Sequence, residues 1–262
     1  MPFFERLPFQ MPPASPALSP LVRKLERFAH LPEADRAALD GLASQVEPVP
    51  AHSDLVYEGD KPRGVLLVLG GMAYRYRMRA NGARQILAYL VPGDMGDLDA
   101  DLFDSMDHGI ATFSACKVVW IEPNALNTLR RSHPAIDRTL RMSSMVDAGI
   151  LRAWVMNVGC RMAIERLSYL FCELLLRLQA IGLATGNSYG LPLSQVDLAD
   201  TTGLSNVHLN RSLQELRRRD LIHLSARTLN IPDVPALMAL AEFRADYLRL
   251  SGQTADWGIR SS

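Results

Sequence analysis

Asn206, Val207, Asn210, Arg211, Gln214 and Arg218 are spaced so that a helix would carry all six on one side. Carboxamide and guanidinium groups so arranged can donate to phosphate oxygens and to base edges in a major groove, which is the chemistry of sequence-specific DNA reading. The helix that must hold them is signalled independently. Ser205 can cap it, and Leu209, Leu213 and Leu216 fall at i, i+4 and i+7 as one apolar stripe beside Leu204. A preceding helix starts at Ser194, a second cap, with Asp197 placed to bond back toward it and Leu198 and Ala199 supplying the packed face. Gly203 lies between the two helices, where a left-handed residue is needed. Leu193 to Ile222 therefore reads as a helix-turn-helix, the alternative being an ordinary amphipathic hairpin in a core. Leu221 to Leu224 and Thr228 to Ile231 predict two short strands around Ser225, Ala226 and Arg227, which would form a wing.

Charge supports this site locally. The whole chain of 262 residues balances 28 Lys and Arg against 28 Asp and Glu, so no bulk attraction to polyanions is expected. From Ser205 to Ile231, however, Arg211, Arg217, Arg218, Arg219 and Arg227 face only Glu215 and Asp220. A basic patch on a neutral protein suits specific binding better than indiscriminate coating of DNA. For Arg217 to Arg219, complementing the helix dipole is an equal alternative.

Other chemistry is poorly represented. There is no nucleophile-base pair, phosphate-binding glycine loop or metal-ligand cluster, so neither an enzyme nor a cofactor is expected. Cys116, Cys160 and Cys172 are odd in number and widely spaced, fitting neither a disulfide framework nor a zinc motif, and are read as buried thiols. Asp97, Asp99 and Asp101 lack the glycine and the twelfth-position glutamate of a calcium loop, since Leu102 and His108 stand there. No run of about 18 apolar residues and no signal peptide is found, so a cytoplasmic protein with no membrane association is expected.

The elements that must position the site follow from patterning. A Pro-rich segment to about Pro20 is expected to be poorly ordered or draped over the surface. Leu21, Leu25 and Phe28 mark one helix, and Pro32 opens another with Ala38, Leu39 and Leu42 on its apolar face. Strands dominate from about Asp54 to Ile121, most plainly where Tyr74, Tyr76 and Met78 alternate with Arg75, Arg77 and Arg79, read as an exposed face. Asn81-Gly82 turns that hairpin into Ile86, Ala88 and Leu90, and Pro92-Gly93-Asp94 marks a corner, giving a small antiparallel barrel or jelly roll. A long helix from about Pro134 to Val158 has Ala148, Leu151, Val155 and Val158 on one stripe and Val146, Ile150 and Trp154 on another. Such two-sided apolarity predicts a dimer axis. Gly159 is expected to interrupt it, a second helix to start near Arg161, and Gly182 to Gly190 to link onward. Two domains, each with a core, are expected from the length.

The segments YEGDKPRGVLLVLGGMAYRY, LAYLVPGDMGDL, CRMAIERLSYLFCELLLRL and DLADTTGLSNVHLNRSLQELRRRDLI, in this order, resemble the cAMP receptor protein / fumarate and nitrate reduction regulator (Crp/Fnr) superfamily over nearly the whole chain. The resemblance implies an α+β chain: an N-terminal cyclic-nucleotide-binding-like β jelly roll, a long dimerisation helix and a C-terminal winged helix-turn-helix. The divisions are residues 1–20, N-terminal segment; 21–133, sensor domain; 134–158, dimerisation helix; 159–250, DNA-binding domain; and 251–262, tail. It implies a homodimer regulating transcription from a two-fold symmetric site on double-stranded DNA, with RNA polymerase and a small-molecule effector as further partners. A sensor acting chiefly through a protein partner is the alternative.

Where family members bind cAMP, a Gly-Glu pair takes the ribose and an Arg-Ser pair the phosphate. Here the first becomes Gly96-Asp97 and the second falls on His108-Gly109, so the phosphate clamp is missing and cAMP is not expected. Gly96, Asp97 and His108 are the candidate ligand residues, with a structural hydrogen-bonding role for His108 or a haem as alternatives. The N-terminal cysteines of the iron–sulfur branch are absent as well, Cys116 being the first cysteine. On the recognition helix the resemblance gives Arg211 the guanine-reading position, sets Ser205 and His208 toward phosphates, and leaves Asn206 and Val207 without an acidic reader of cytosine, Val207 being placed to touch a thymine methyl.

Overall fold

The structure, a computed structural model, describes residues 19–250, so the N-terminal segment as far as residue 18 and the tail lie outside it. Helices α1 (Pro20–Glu26) and α2 (Glu33–Leu42) precede seven strands: β1 (Glu47–Val49), β2 (Asp54–Val56), β3 (Val65–Gly70), β4 (Ala73–Met78), β5 (Arg84–Leu90), β6 (Gly109–Thr112) and β7 (Cys116–Ile121). They form two antiparallel sheets, one ordered β1-β7-β3 and the other β2-β6-β4-β5. This is a jelly-roll-like sandwich. Next come α3 (Pro123–Ser132), the long α4 (Pro134–Cys160) and α5 (Ala163–Gln179).

A C-terminal head completes the chain with β8 (Ala184–Thr185), β9 (Ser188–Gly190), α6 (Gln195–Thr202), α7 (Asn206–Arg218), β10 (His223–Ser225), β11 (Thr228–Asn230) and α8 (Val234–Leu240). Four of these strands make one sheet, β10-β11-β9-β8. The segment expected to be a linker is thus a hairpin that extends the wing, with Leu229 opposite Tyr189 and Ala184 opposite Tyr189 on its other side. Its glycines and Asn187 signal a loop, but Tyr189 is buried and needs a sheet partner. Nor does Gly159 break α4: helical geometry continues through it to Cys160.

Apolar packing crosses the junction between sandwich and head. One apolar cluster runs from Tyr74, Ile86, Tyr89 and Phe113 of the sandwich through Ile150 and Trp154 of α4 and Leu170 and Leu174 of α5 to Leu198, Leu213 and Leu229 of the head. Of two smaller clusters, one fills the rest of the sandwich and the other packs Leu21, Leu25, Leu39, Leu126 and Leu140 of the helices on β3 and β7.

A buried ionic group fastens the same junction. Asp94 accepts from Lys24 at 2.7 Å and from Arg177 at 2.6 Å, while Arg177 also reaches Glu173 at 3.2 Å. Glu173 is fully buried and takes further donors from Tyr247 at 2.9 Å and Trp154 at 3.5 Å. Burial raises its pKa, and the Arg177 charge and these hydrogen bonds pull it only part of the way back. Removing one partner of such a set would strand a charge at a cost of roughly 3–5 kcal/mol. Gly93, at φ +90°, lets α1 come this close, because a Cβ there would sit 2.5 Å from the carbonyl oxygen of Pro20.

Candidate nucleic-acid interface

The reading helix is built by its two caps and its turn. Ser194 accepts from the Asp197 amide at 3.1 Å and Asp197 accepts from the Ser194 amide at 2.9 Å, a reciprocal cap at the start of α6. Gly203 takes φ +66° as the chain leaves α6, and Ser205 then caps α7 by accepting from the His208 amide at 3.4 Å. Leu209, Leu213 and Leu216 are buried at 0–1% exposure, so the orientation of α7 about its own axis is fixed.

The outward face is consequently determined. Ser205, Asn206, Val207, His208, Arg211 and Gln214 are exposed, Asn210 is half-buried, and Val207 stands 60% exposed with no apolar partner to explain it. The Arg211 side chain makes no hydrogen bond or ion pair among the described residues. Arg218 does: its fork is closed on Glu215 by bonds of 2.8 and 2.7 Å, with Arg219 on the same carboxylate at 2.7 Å. Hydrogen bonds from these two arginines hold the Glu215 pKa down at about 2. The sequence placed Arg218 on the reading face without its i−3 acid.

At the wing tip Ser225 pairs with Thr228, so the turn is only Ala226-Arg227, both left-handed at φ +47° and +60°. Ser225 belongs to the strand instead. Arg227 is exposed there, beyond the end of α7 in the chain.

The sandwich holds the second candidate site. Gly96 and Asp97 line a cavity of about 260 Å³ together with Lys61, Arg63, Met106 and Trp120. His108 does not line it but stands behind Asp97, with its Nε2 3.3 Å from the carboxylate and its Nδ1 2.7 Å from Asp107. Arg75 completes the group at 3.5 Å from Asp97. Its side chain is only 12% exposed, whereas the alternation in β4 had put it on an open face; a bulge between Arg75 and Tyr76 in the pairing with β5 breaks that alternation. Burial disfavours charge on Asp97, yet the neighbouring His108 and the charge of Arg75 hold its pKa at about 2. Burial likewise opposes the imidazolium of His108, and Asp97 and Asp107 outweigh it and raise its pKa. Trp120 leaves a buried indole N–H unpartnered at this cavity, beneath the Arg63 guanidinium 4.9 Å from its ring. Neither Arg63 nor Trp120 was singled out from the sequence, which offers no periodic signal for them.

Of the stripe expected on α4, Leu151 and Val155 are 47% and 74% exposed and Ala148 is half-buried. Val158 instead packs into the large cluster, with its Cγ1 3.7 Å from where a Cβ on Gly203 would lie. Exposed Met145 and Met156 join the free face, which sequence patterning had not included. Cys116 and Cys172 are buried, and burial pushes the Cys116 thiol up to about 11, but Cys160 is exposed at the end of α4. Asp99 is tied to Arg130 at 2.7 Å, and no group of three acids, histidines or cysteines suited to a metal occurs among the described residues. No helix there is long and apolar enough to cross a membrane.

Comparison with known proteins agrees with this geometry. A model of the Crp-like helix-turn-helix domain matches residues 165–240. The nitrogen fixation regulation protein FixK of Rhizobium meliloti is 26% identical over 188 residues, covering 71% of this chain and 82% of its own. The fumarate and nitrate reduction regulatory protein of Vibrio cholerae is 22% identical over 215 residues, covering 80% and 84%. Among solved structures, FixK2 from Bradyrhizobium japonicum superposes with a TM-score of 0.68 at 20% identity, over 77% of this chain and 98% of that one. At that identity the likeness is one of fold.

Proposed function

We propose that this chain, a Crp/Fnr-family DNA-binding transcriptional regulator, acts as a homodimer that reads a two-fold symmetric operator with one α7 in each of two successive major grooves. The observation that carries this reading is the face of α7, where Asn206, Val207, His208 and Arg211 are exposed while the leucines behind them are buried. Arg211, with an unengaged fork, is the guanine reader. Val207 offers a methyl surface to thymine, Asn206 and Asn210 are further base-edge groups, and Ser205, His208 and Arg227 face phosphates. Arg218 must release Glu215 before it can contribute.

The dimer forms along the free face of α4 through Met145, Ala148, Leu151 and Val155. The protein works in the cytoplasm, and RNA polymerase is its further partner at the promoter; relatives bear names such as transcriptional activator protein FnrL. Cyclic AMP is not its effector. In place of a phosphate clamp, His108 stands 3.3 Å from Asp97 in an ion pair without hydrogen-bond geometry, and a small molecule entering the 260 Å³ cavity would meet Arg63, Lys61 and the Trp120 ring instead.

The test is enrichment of sites from a random duplex library by the purified protein with no ligand added, beside Arg211→Ala. The expected outcome is a two-fold symmetric site recovered by the wild type, with Arg211→Ala losing about 1–3 kcal/mol of discrimination at one base pair per half-site while staying dimeric. No enrichment at low salt, or an Arg211→Ala variant indistinguishable from wild type, would overturn the reading and move attention to the sandwich and a protein partner.

A further inference from the structure

The reading head is gripped by the sandwich through side chains far apart in sequence. Arg84, the first residue of β5, directs its guanidinium onto α6: Nη2 lies 2.6 Å from Asp197 and Nε 2.8 Å from Asp200. The third nitrogen, Nη1, donates to the Tyr74 hydroxyl at 2.7 Å. All three nitrogens are therefore engaged. Two more residues of the same strand continue the grip, since the Gln85 amide donates to the Thr201 carbonyl at 3.2 Å and the Tyr89 hydroxyl pairs with that of Thr201. From the other side Arg166 of α5 donates to the Thr202 carbonyl at 3.0 Å. The Arg84 side chain is 23% exposed, against 72% for Arg218 in its pair with Glu215, so water and salt screen it less.

We propose that Arg84 is a positioning residue for DNA reading: by holding Asp197 and Asp200 it sets the angle at which α6, and with it α7, stands on the sandwich. This rests on the dimeric reading proposed above. α6 is eight residues long and packs on α7, with Leu198 and Leu213 both in the shared core, so whatever orients α6 orients the reading helix. Two heads held at a set angle engage two half-sites without a further ordering cost, whereas loosened heads must be ordered on binding. Any movement of the β4–β5 hairpin is passed to α6 by the same contacts. Asp197 also completes the cap of α6, so Asp200 is the better partner to vary.

The experiment uses the full chain in a Cys160→Ser background, because Cys160 is exposed and would take label. Spin labels at Arg79→Cys and Gln214→Cys, both exposed positions, report the distance from hairpin to reading helix when labelled chains are diluted into unlabelled ones. A narrow distance distribution is expected for the parent, a broadened one for Arg84→Ala and for Asp200→Asn, and recovery for Arg84→Asp combined with Asp200→Arg. A distribution in Arg84→Ala as narrow as in the parent overturns the proposal. The second readout is DNA affinity: Arg84→Ala should weaken binding to a duplex with both half-sites on the order of tenfold and leave a single half-site unchanged, a split that general destabilisation does not produce. Equal loss on both duplexes, or tighter binding to the full site, also counts against it. If the parent itself fails to prefer the full site, dimeric reading fails, and the distance measurement still decides whether Arg84 holds the head.

Discussion

At the scale of single residues, the molecule separates groups that are satisfied from groups held ready. On α7 the distinction falls between Arg218, closed on Glu215, and Arg211, which has no partner among the described residues. In the sandwich, His108 lies between two carboxylates, 3.3 Å from Asp97 and 2.7 Å from Asp107, and its imidazole titrates. His108 has a folded pKa raised above its usual value of about 6.5, so the stability it contributes is complete below that value and is lost as pH rises through the folded pKa. His108→Gln should accordingly lower the melting temperature most near pH 6, with the deficit shrinking toward pH 9, read from thermal unfolding at a series of pH values. Asp97, held at about 2, stays charged over that whole range and contributes no slope of its own. A deficit constant with pH would mean that the imidazole is neutral in the fold.

At the scale of elements, the caps and stripes of α6 and α7 were legible because their signals are local. Ser194 and Asp197 are three residues apart, and Leu209, Leu213 and Leu216 repeat at the helical period. The wing was legible as two strands, but its turn is tighter than expected, placing Ala226 at φ +47°. An alanine in that region carries strain that glycine does not, so Ala226→Gly should stabilise the chain by about 0.5–1 kcal/mol, read as a shift in the urea midpoint at constant slope. The hairpin of β8 and β9 was not legible. Its glycines and polar residues read as a linker, and only the register of Tyr189 against Leu229 makes it part of the wing.

At the scale of the whole molecule, α4 is the member shared by everything else. One side carries Ile150 and Trp154 into the continuous core, and the other leaves Met145, Leu151, Val155 and Met156 exposed. Val155→Asp should give a monomer by sedimentation velocity with an unchanged far-ultraviolet spectrum, because a side chain already 74% exposed makes little contact within its own chain. A dimer that survives this change would place the two-fold axis elsewhere. Because the core is continuous and Lys24, Asp94, Arg177 and Glu173 lock α1, the sandwich and α5 together, sandwich and head should unfold as one cooperative unit.

The sequence by itself determined the helix-turn-helix, the exposed face of its second helix that carries Arg211, the β-rich N-terminal part and the long helix between them. Each of these is written in periodicity, caps and turns, which act over one to eight residues. The tertiary structure alone decided that Arg84 grips α6 more than a hundred residues away, that Arg75 turns inward to Asp97, and that Val158 leaves the exposed stripe of α4 for the head. Such contacts join residues whose separation along the chain leaves no period to read. They exist only once packing has brought two surfaces within the reach of a side chain.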